Sequence, residues 1–251
     1  CLVGSEMCIR DSGMKVFIGT VTTGACLSVV SQTKADNMFQ ITPSASAAKV
    51  IANDNCFQVC FTDPNQGTAS ADYIASKGLA TKVAVIYNSS DAYSSGIYDN
   101  FKAEAAAKGL DLVASEAFTG DSKQDFSSQL SKIKASGAEL IFLPIYYQEA
   151  SLILSQAKNA GITAKFFGCD GLDGLLNIEN FDKSLAENVM LLTPFAANAT
   201  DETTKKFVAA YNAKYDPSTL NQFAADAYDA VYVVKAAAEK AGVTGDMSVS
   251  D

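Results

Sequence analysis

The stretch "GCDGLDG", residues 168–174, sets Asp170 and Asp173 three residues apart among three glycines, directly after the apolar pair Phe166 and Phe167. Two carboxylates so placed can form a metal loop, an acid/base pair, a plain turn, or one wall of a pocket that holds a small cation. The calcium-loop pattern D-x-[DN]-x-[DN]-G is not met, and no further carboxylates cluster in the neighbouring sequence. The chain contains no histidine. That absence excludes a Ser-His-Asp or Cys-His nucleophile, a His-ligated metal and a histidine general base. No metal and no cofactor is expected, and a catalytic pair finds no support beyond the two aspartates.

Other polar side chains recur just after apolar runs. "TVTTGACLS" (20–28) and "TPSASAA" (42–48) each end a strand-like run with small hydroxyl residues and then open a helix. Thr22, Thr23, Ser44 and Ser46 can offer hydroxyls there while helix N-terminal N–H groups point the same way, which makes an anion site. Either stretch alone reads equally as a helix cap; two at neighbouring strand ends favour a carboxylate. Tyr93, in "SSDAYSSG" (89–96), and Tyr146 and Tyr147, after "ELIFLPI", follow two further apolar runs. A tyrosine packs a ligand with its face and hydrogen-bonds it with its tip, although any one of them could equally be core. Read as neighbours on a strand, Tyr146 and Tyr147 alternate faces, so at most one points at a given ligand. Hydroxyls for a carboxylate and Asp170 for an ammonium would together suit a zwitterion.

The elements that must position these groups follow from the apolar pattern. Strands are predicted at 15–21, 38–42, 56–61, 82–88, 110–118, 139–146, 165–170 and 188–194, and helices near 24–36, 65–77, 93–108, 124–136, 148–160, 200–215 and 220–241. Gly109, Gly137 and Gly161 stand where helices should close, and Thr200 ahead of Asp201 and Glu202 reads as an N-cap. "VAVIY" and "LIFLPI" are apolar on both faces, as parallel strands covered by helices on each side must be. The fold class is α/β with parallel sheets, two of them. No G-x-G-x-x-G or G-x-x-x-x-G-K-[ST] accompanies them, so nucleotide binding has no motif. In such sheets ligands sit beyond the carboxyl ends of the strands, where the hydroxyls, tyrosines and Asp170 fall.

Composition bounds the rest. The 251 residues are 48% hydrophobic, enough to bury a core, and the net charge of -9 comes with no basic stripe for nucleic acid. No apolar run approaches the roughly 18 residues of a membrane helix. The opening "CLVGSEMCIRDS" has neither signal-peptide layout nor periodicity. Residues 1–13 are expected to be an appended, unstructured leader similar to translated adaptor sequence. Of the remaining cysteines, Cys56 and Cys60 on one strand would lie about 13 Å apart at ~3.3 Å per residue, too far to bond. With Cys26 and Cys169 they read as buried small hydrophobes rather than a disulfide framework.

The order of "ITPSAS" (41–46), "CFTDPNQG" (60–67), "KVAVIYNSSDAYSSG" (82–96), "QDFSSQLSKIKASGAELIFLPIYYQEASLILSQAKNAG" (124–161), "GCDG" (168–171) and "AYDAVY" (227–232) resembles the Leu/Ile/Val-binding group of ABC-transporter substrate-binding proteins. The resemblance runs from about Lys15 to Gly242. It implies two Rossmann-like lobes joined by hinge crossings near 62–65 and 192–195, with 14–62 and 195–251 in a partial first lobe and 63–194 in the second. It implies a monomeric, extracytoplasmic binding protein, periplasmic or lipid-anchored, which takes a branched-chain, aliphatic or small α-amino acid in the interlobe cleft and passes it to the membrane subunits of an ABC permease. A ligand-sensing domain of a receptor or regulator is the alternative. Carried over by position, Thr23, Ser46 and the backbone at Ser44 would bind the carboxylate. Tyr93 and Tyr146 would pack the ligand, Asp170 would hold the ammonium, and Phe223 would line the side-chain region. Thr22 stands where some relatives have a disulfide cysteine. Asp226 occupies a position that is often apolar and is expected to be exposed. Because such proteins carry further segments at both ends, the chain is expected to be an internal part of a longer one, with the export signal outside it.

Overall fold

The computed structural model describes residues 13–243, so the expected leader, Gly13 apart, lies outside the described residues. The described residues divide into two compact units, 13–61 with 223–243, and Thr62–Gln222. The first unit contains a parallel three-stranded sheet in the order β1-β2-β3, formed by β1 (Val16–Ile18), β2 (Phe39–Thr42) and β3 (Cys56–Gln58). Helix α1 (Thr23–Ala35) connects β1 to β2.

The second unit holds a parallel five-stranded sheet in the order β5-β4-β6-β7-β8. Its strands are β4 (Lys82–Asn88), β5 (Asp111–Phe118), β6 (Leu140–Leu143), β7 (Lys165–Gly168) and β8 (Met190–Leu191). Helices α2 (Asp63–Ser76), α3 (Ala92–Ala107), α4 (Ser127–Ser136), α5 (Tyr147–Asn159) and α6 (Glu202–Asn212) belong to this unit, and α7 (Gln222–Ala241) leaves it. The two-faced apolar runs do what their composition requires. Val83 and Val85 of β4 join Leu140 and Phe142 of β6 in a core with Ile74 of α2 and Ile97 and Phe101 of α3. The alternating residues Ala84, Ile86, Ile141 and Leu143 pack on the other face with Leu130 of α4 and Ile153 of α5.

The βα alternation therefore matches expectation, and the differences are at element ends. β6 stops at Leu143 because Pro144 has no N–H to continue the ladder. The N-cap of α6 is Asp201, whose Oδ1 accepts from the Thr204 amide at 2.8 Å, one residue beyond the expected Thr200. After β2 the chain makes a single 3₁₀ turn, Ala48–Ile51, in place of the second helix start. Gly109, Gly137 and Gly161 do close their helices, at φ of 73°, 70° and 67°.

Residues 195–222 pack with the second unit, although the resemblance assigned them to the first lobe. Gln222 ties this segment down: its amide donates to Asp173 Oδ2 at 2.7 Å, and its side chain donates to the Asp170 carbonyl at 2.7 Å. Among the described residues no helix is long and apolar enough to cross a membrane.

Candidate functional site

The order β5-β4-β6-β7-β8 reverses direction at β4, and in open α/β sheets ligands sit beyond the carboxyl ends of the strands at such a point, here β4 and β6. Tyr93 and Tyr146 stand at those two ends. Asp91 caps α3 by accepting from the Ser94 amide at 3.1 Å, which sets Tyr93 in the first helical turn. Tyr146 occupies the N-cap position of α5, and Tyr147 is its first residue. The pair is thus at a helix start and not on a strand, but the two still part: Tyr146 stacks on Tyr93, ring centroids 4.8 Å apart, while Tyr147 lies beside Gly174.

Asp170 opens a 3₁₀ turn after β7 and is 3% exposed. Tyr93 donates to its Oδ1 at 2.6 Å, and the Gly171 amide donates back to the Tyr93 hydroxyl at 2.9 Å, so the phenol proton is committed to the carboxylate. Gln66 Oε1, from α2, accepts the Asp170 amide at 3.2 Å. Gly171 is required by this closeness, since a Cβ there would fall 2.7 Å from the Ile145 carbonyl and from the Tyr93 hydroxyl. Burial pushes the Asp170 carboxyl up to about 6, opposed by the hydrogen bond from Tyr93. None of the ion pairs among the described residues includes Asp170. The Tyr146 phenol is raised by burial and then by four carboxylates, Asp91, Asp170, Asp63 and Glu149, so the potential around these rings is negative. That field favours a cation.

In the first unit Thr23 and Ser46 come together, and Ser44 lies two residues earlier in the same buried segment after β2. Thr23 Oγ1 accepts from the Ser46 amide at 3.2 Å and the Ala47 amide at 3.3 Å, which leaves the hydroxyl proton for another acceptor. Ser44 and Ser46, 5% and 1% exposed, have hydroxyl oxygens with no hydrogen-bond partner within the protein. A buried hydroxyl left unmatched is costly, and a ligand oxygen would relieve it. Thr22 is exposed and caps nothing with its side chain. Phe223 lies half-buried in the first turn of α7.

One expectation is corrected. Asp226 is 6% exposed rather than out in solvent, because Gln222, Ala225, Asp226 and Ala230 form the buried stripe of α7. Asp173 accepts the Gln222 amide at the start of α7. That commitment gives it a different partner from Asp170. Gln66 and Gln222, both wholly buried, were missed by sequence reasoning. Gln66 stands in "CFTDPNQG", and the cap at Thr62 followed by Pro64 would have put it in the first turn of a helix. No group of three or more His, Cys, Asp and Glu among the described residues is placed to hold a metal ion.

Residues 6–249 match the family model described as periplasmic binding protein. The Leu/Ile/Val-binding protein homolog 3 of Brucella melitensis is 33% identical over 241 residues, which cover 95% of this chain and 64% of that protein. The leucine-binding protein LivK of Thermotoga maritima superposes with a TM-score of 0.81 at 27% identity, over 93% of this chain and 66% of that one. LivJ of Streptococcus pneumoniae, solved with isoleucine, gives 0.79 at 28% identity, over 92% and 65%. The chain thus spans about two thirds of the length of these relatives. On the family match and the two parallel α/β units, the chain belongs to the periplasmic binding protein family.

Proposed function

We propose that this protein is an extracytoplasmic solute-binding protein that captures a branched-chain, aliphatic or small α-amino acid and delivers it to an ABC permease. The observation that carries the reading is Asp170, a buried carboxylate held by Tyr93 and, among the described residues, joined to no cationic side chain in an ion pair. It takes the ligand ammonium, Tyr93 and Tyr146 pack the ligand, Thr23, Ser44 and Ser46 take the carboxylate, and Phe223 lines the side-chain region. Hinge crossings near 62–65 and 192–195 belong to the same proposal, as does a monomeric state.

Calorimetry with leucine, isoleucine, valine, alanine and threonine, and with 4-methylpentanoate as leucine lacking its amine, tests it. Micromolar or tighter binding of at least one amino acid is expected, with at least tenfold weaker binding of the des-amino acid, as the loss of a charge-assisted hydrogen bond of roughly 1.5–3 kcal/mol requires. Silence across the panel, or equal affinity for 4-methylpentanoate, would sink it.

A further inference from the structure

The four described cysteines are all buried thiols, and two of them share one small core. Cys26 lies on α1 and Cys56 begins β3; they are 0% and 3% exposed and pack in the same cluster with Val30, Ala45 and Val50. The strand register brings them together. Cys56 is the direct partner of Gln40 on β2, so the two side chains leave the sheet on one face. Gln40 spends its side chain against α1, donating to Cys26 Sγ at 3.3 Å and accepting from Thr33 at 2.6 Å. Cys56 therefore faces α1 and packs in the cluster that holds Cys26. We propose that Cys26 and Cys56 are a redox pair that closes to a disulfide and fastens α1 to β3.

The proton distribution suits exchange. The Gln40 amide donates to the Cys26 sulfur, and the Cys26 thiol is lowered to about 7, chiefly by the neighbouring Cys56, while Cys56 is raised. With a glutathione-type disulfide as oxidant, the Cys26 thiolate attacks one donor sulfur, the donor S–S bond breaks, and one donor thiolate leaves. Cys56 then loses its proton and attacks Cys26 Sγ, the mixed disulfide breaks, and the second donor thiolate departs and takes up a proton. Two electrons pass from the protein thiols to the donor. The bond crosslinks a 30-residue stretch and so restricts the unfolded chain. Cys26 follows Thr23 by one helical turn, so the same bond fixes the turn that carries that hydroxyl. None of this depends on which solute the protein binds.

The full chain, refolded in reduced and oxidised glutathione, is blocked with a thiol reagent and mapped without reduction. A peptide pair joined through Cys26 and Cys56 is expected to dominate, closing at a GSSG/GSH ratio at least tenfold lower than in denaturant. In Cys56→Ala, Cys26 should be recovered blocked or glutathionylated, and the oxidised wild type should unfold at about 1 M higher urea than the reduced protein. Recovery of Cys26 and Cys56 as separately blocked thiols, pairing of either with Cys60 or another cysteine, or closure at the same ratio in denaturant overturns the proposal.

Discussion

Burial of Asp170 is unfavourable to its charge, and the sign of that effect can be measured. Its folded value, about 6, stands above the ordinary 3.8, so the folded protein takes up this proton before the unfolded chain does. The ionised carboxylate thus costs stability above pH 6, and the cost disappears as the pH falls from about 6 toward 4. Asp170→Asn is expected to stabilise the protein by about 2–3 kcal/mol at pH 8 and by nothing near pH 4, read from urea midpoints. An ammonium ligand needs the ionised form. Its affinity should fall roughly tenfold per unit as the pH drops below about 6, and Asp170→Asn should bind poorly at every pH, both measured by calorimetry. At this scale the sequence exposed residues that follow strands, which is why Thr23, Ser46, Tyr93, Tyr146 and Asp170 could be named. It hid Gln66 and Gln222, because a buried amide in a helix resembles any surface glutamine until its partners are known. Asp226 was misjudged for the same reason.

Among the elements, the contact of α2 with α3 is the most tightly specified. A Cβ on Gly67 would lie 2.5 Å from the Ile97 carbonyl and 2.7 Å from the Phe101 amide, both main-chain atoms that cannot step aside. Gly67→Ala, a change that favours an isolated helix, is expected to destabilise the second unit by about 1–3 kcal/mol, seen as a lower urea midpoint. A neutral or stabilising effect would show that the helices can separate at little cost. The strands of this unit were legible because β4 and β6 are apolar on both faces, and only helices on both sides can satisfy that pattern. Their ends were not legible. Pro144 closes β6 before the tyrosines, and the choice between Thr200 and Asp201 as cap depends on which side chain reaches the Thr204 amide.

For the whole molecule, the two units differ in how much core supports them. In the second, the Leu140–Leu143 strand is buried throughout; in the first, Val16, Ile18 and Phe57 of a three-stranded sheet are more than a third exposed. Native-state hydrogen exchange should therefore show slower amides at 83–86 and 141–143 than at 16–18 and 56–58, by at least tenfold. Equal protection would mean that the units unfold as one. The sequence by itself determined the α/β class, the parallel sheets and the positions at strand ends, because periodicity, strand-end chemistry and the absence of histidine act locally or by exclusion. Only the tertiary structure decided which polar groups are buried together: Asp170 with Tyr93 and Gln66, Asp173 with the start of α7, and Cys26 with Cys56. Such pairings join residues 30 to 104 positions apart, and what selects them is the register of the sheet and the docking of helices on it.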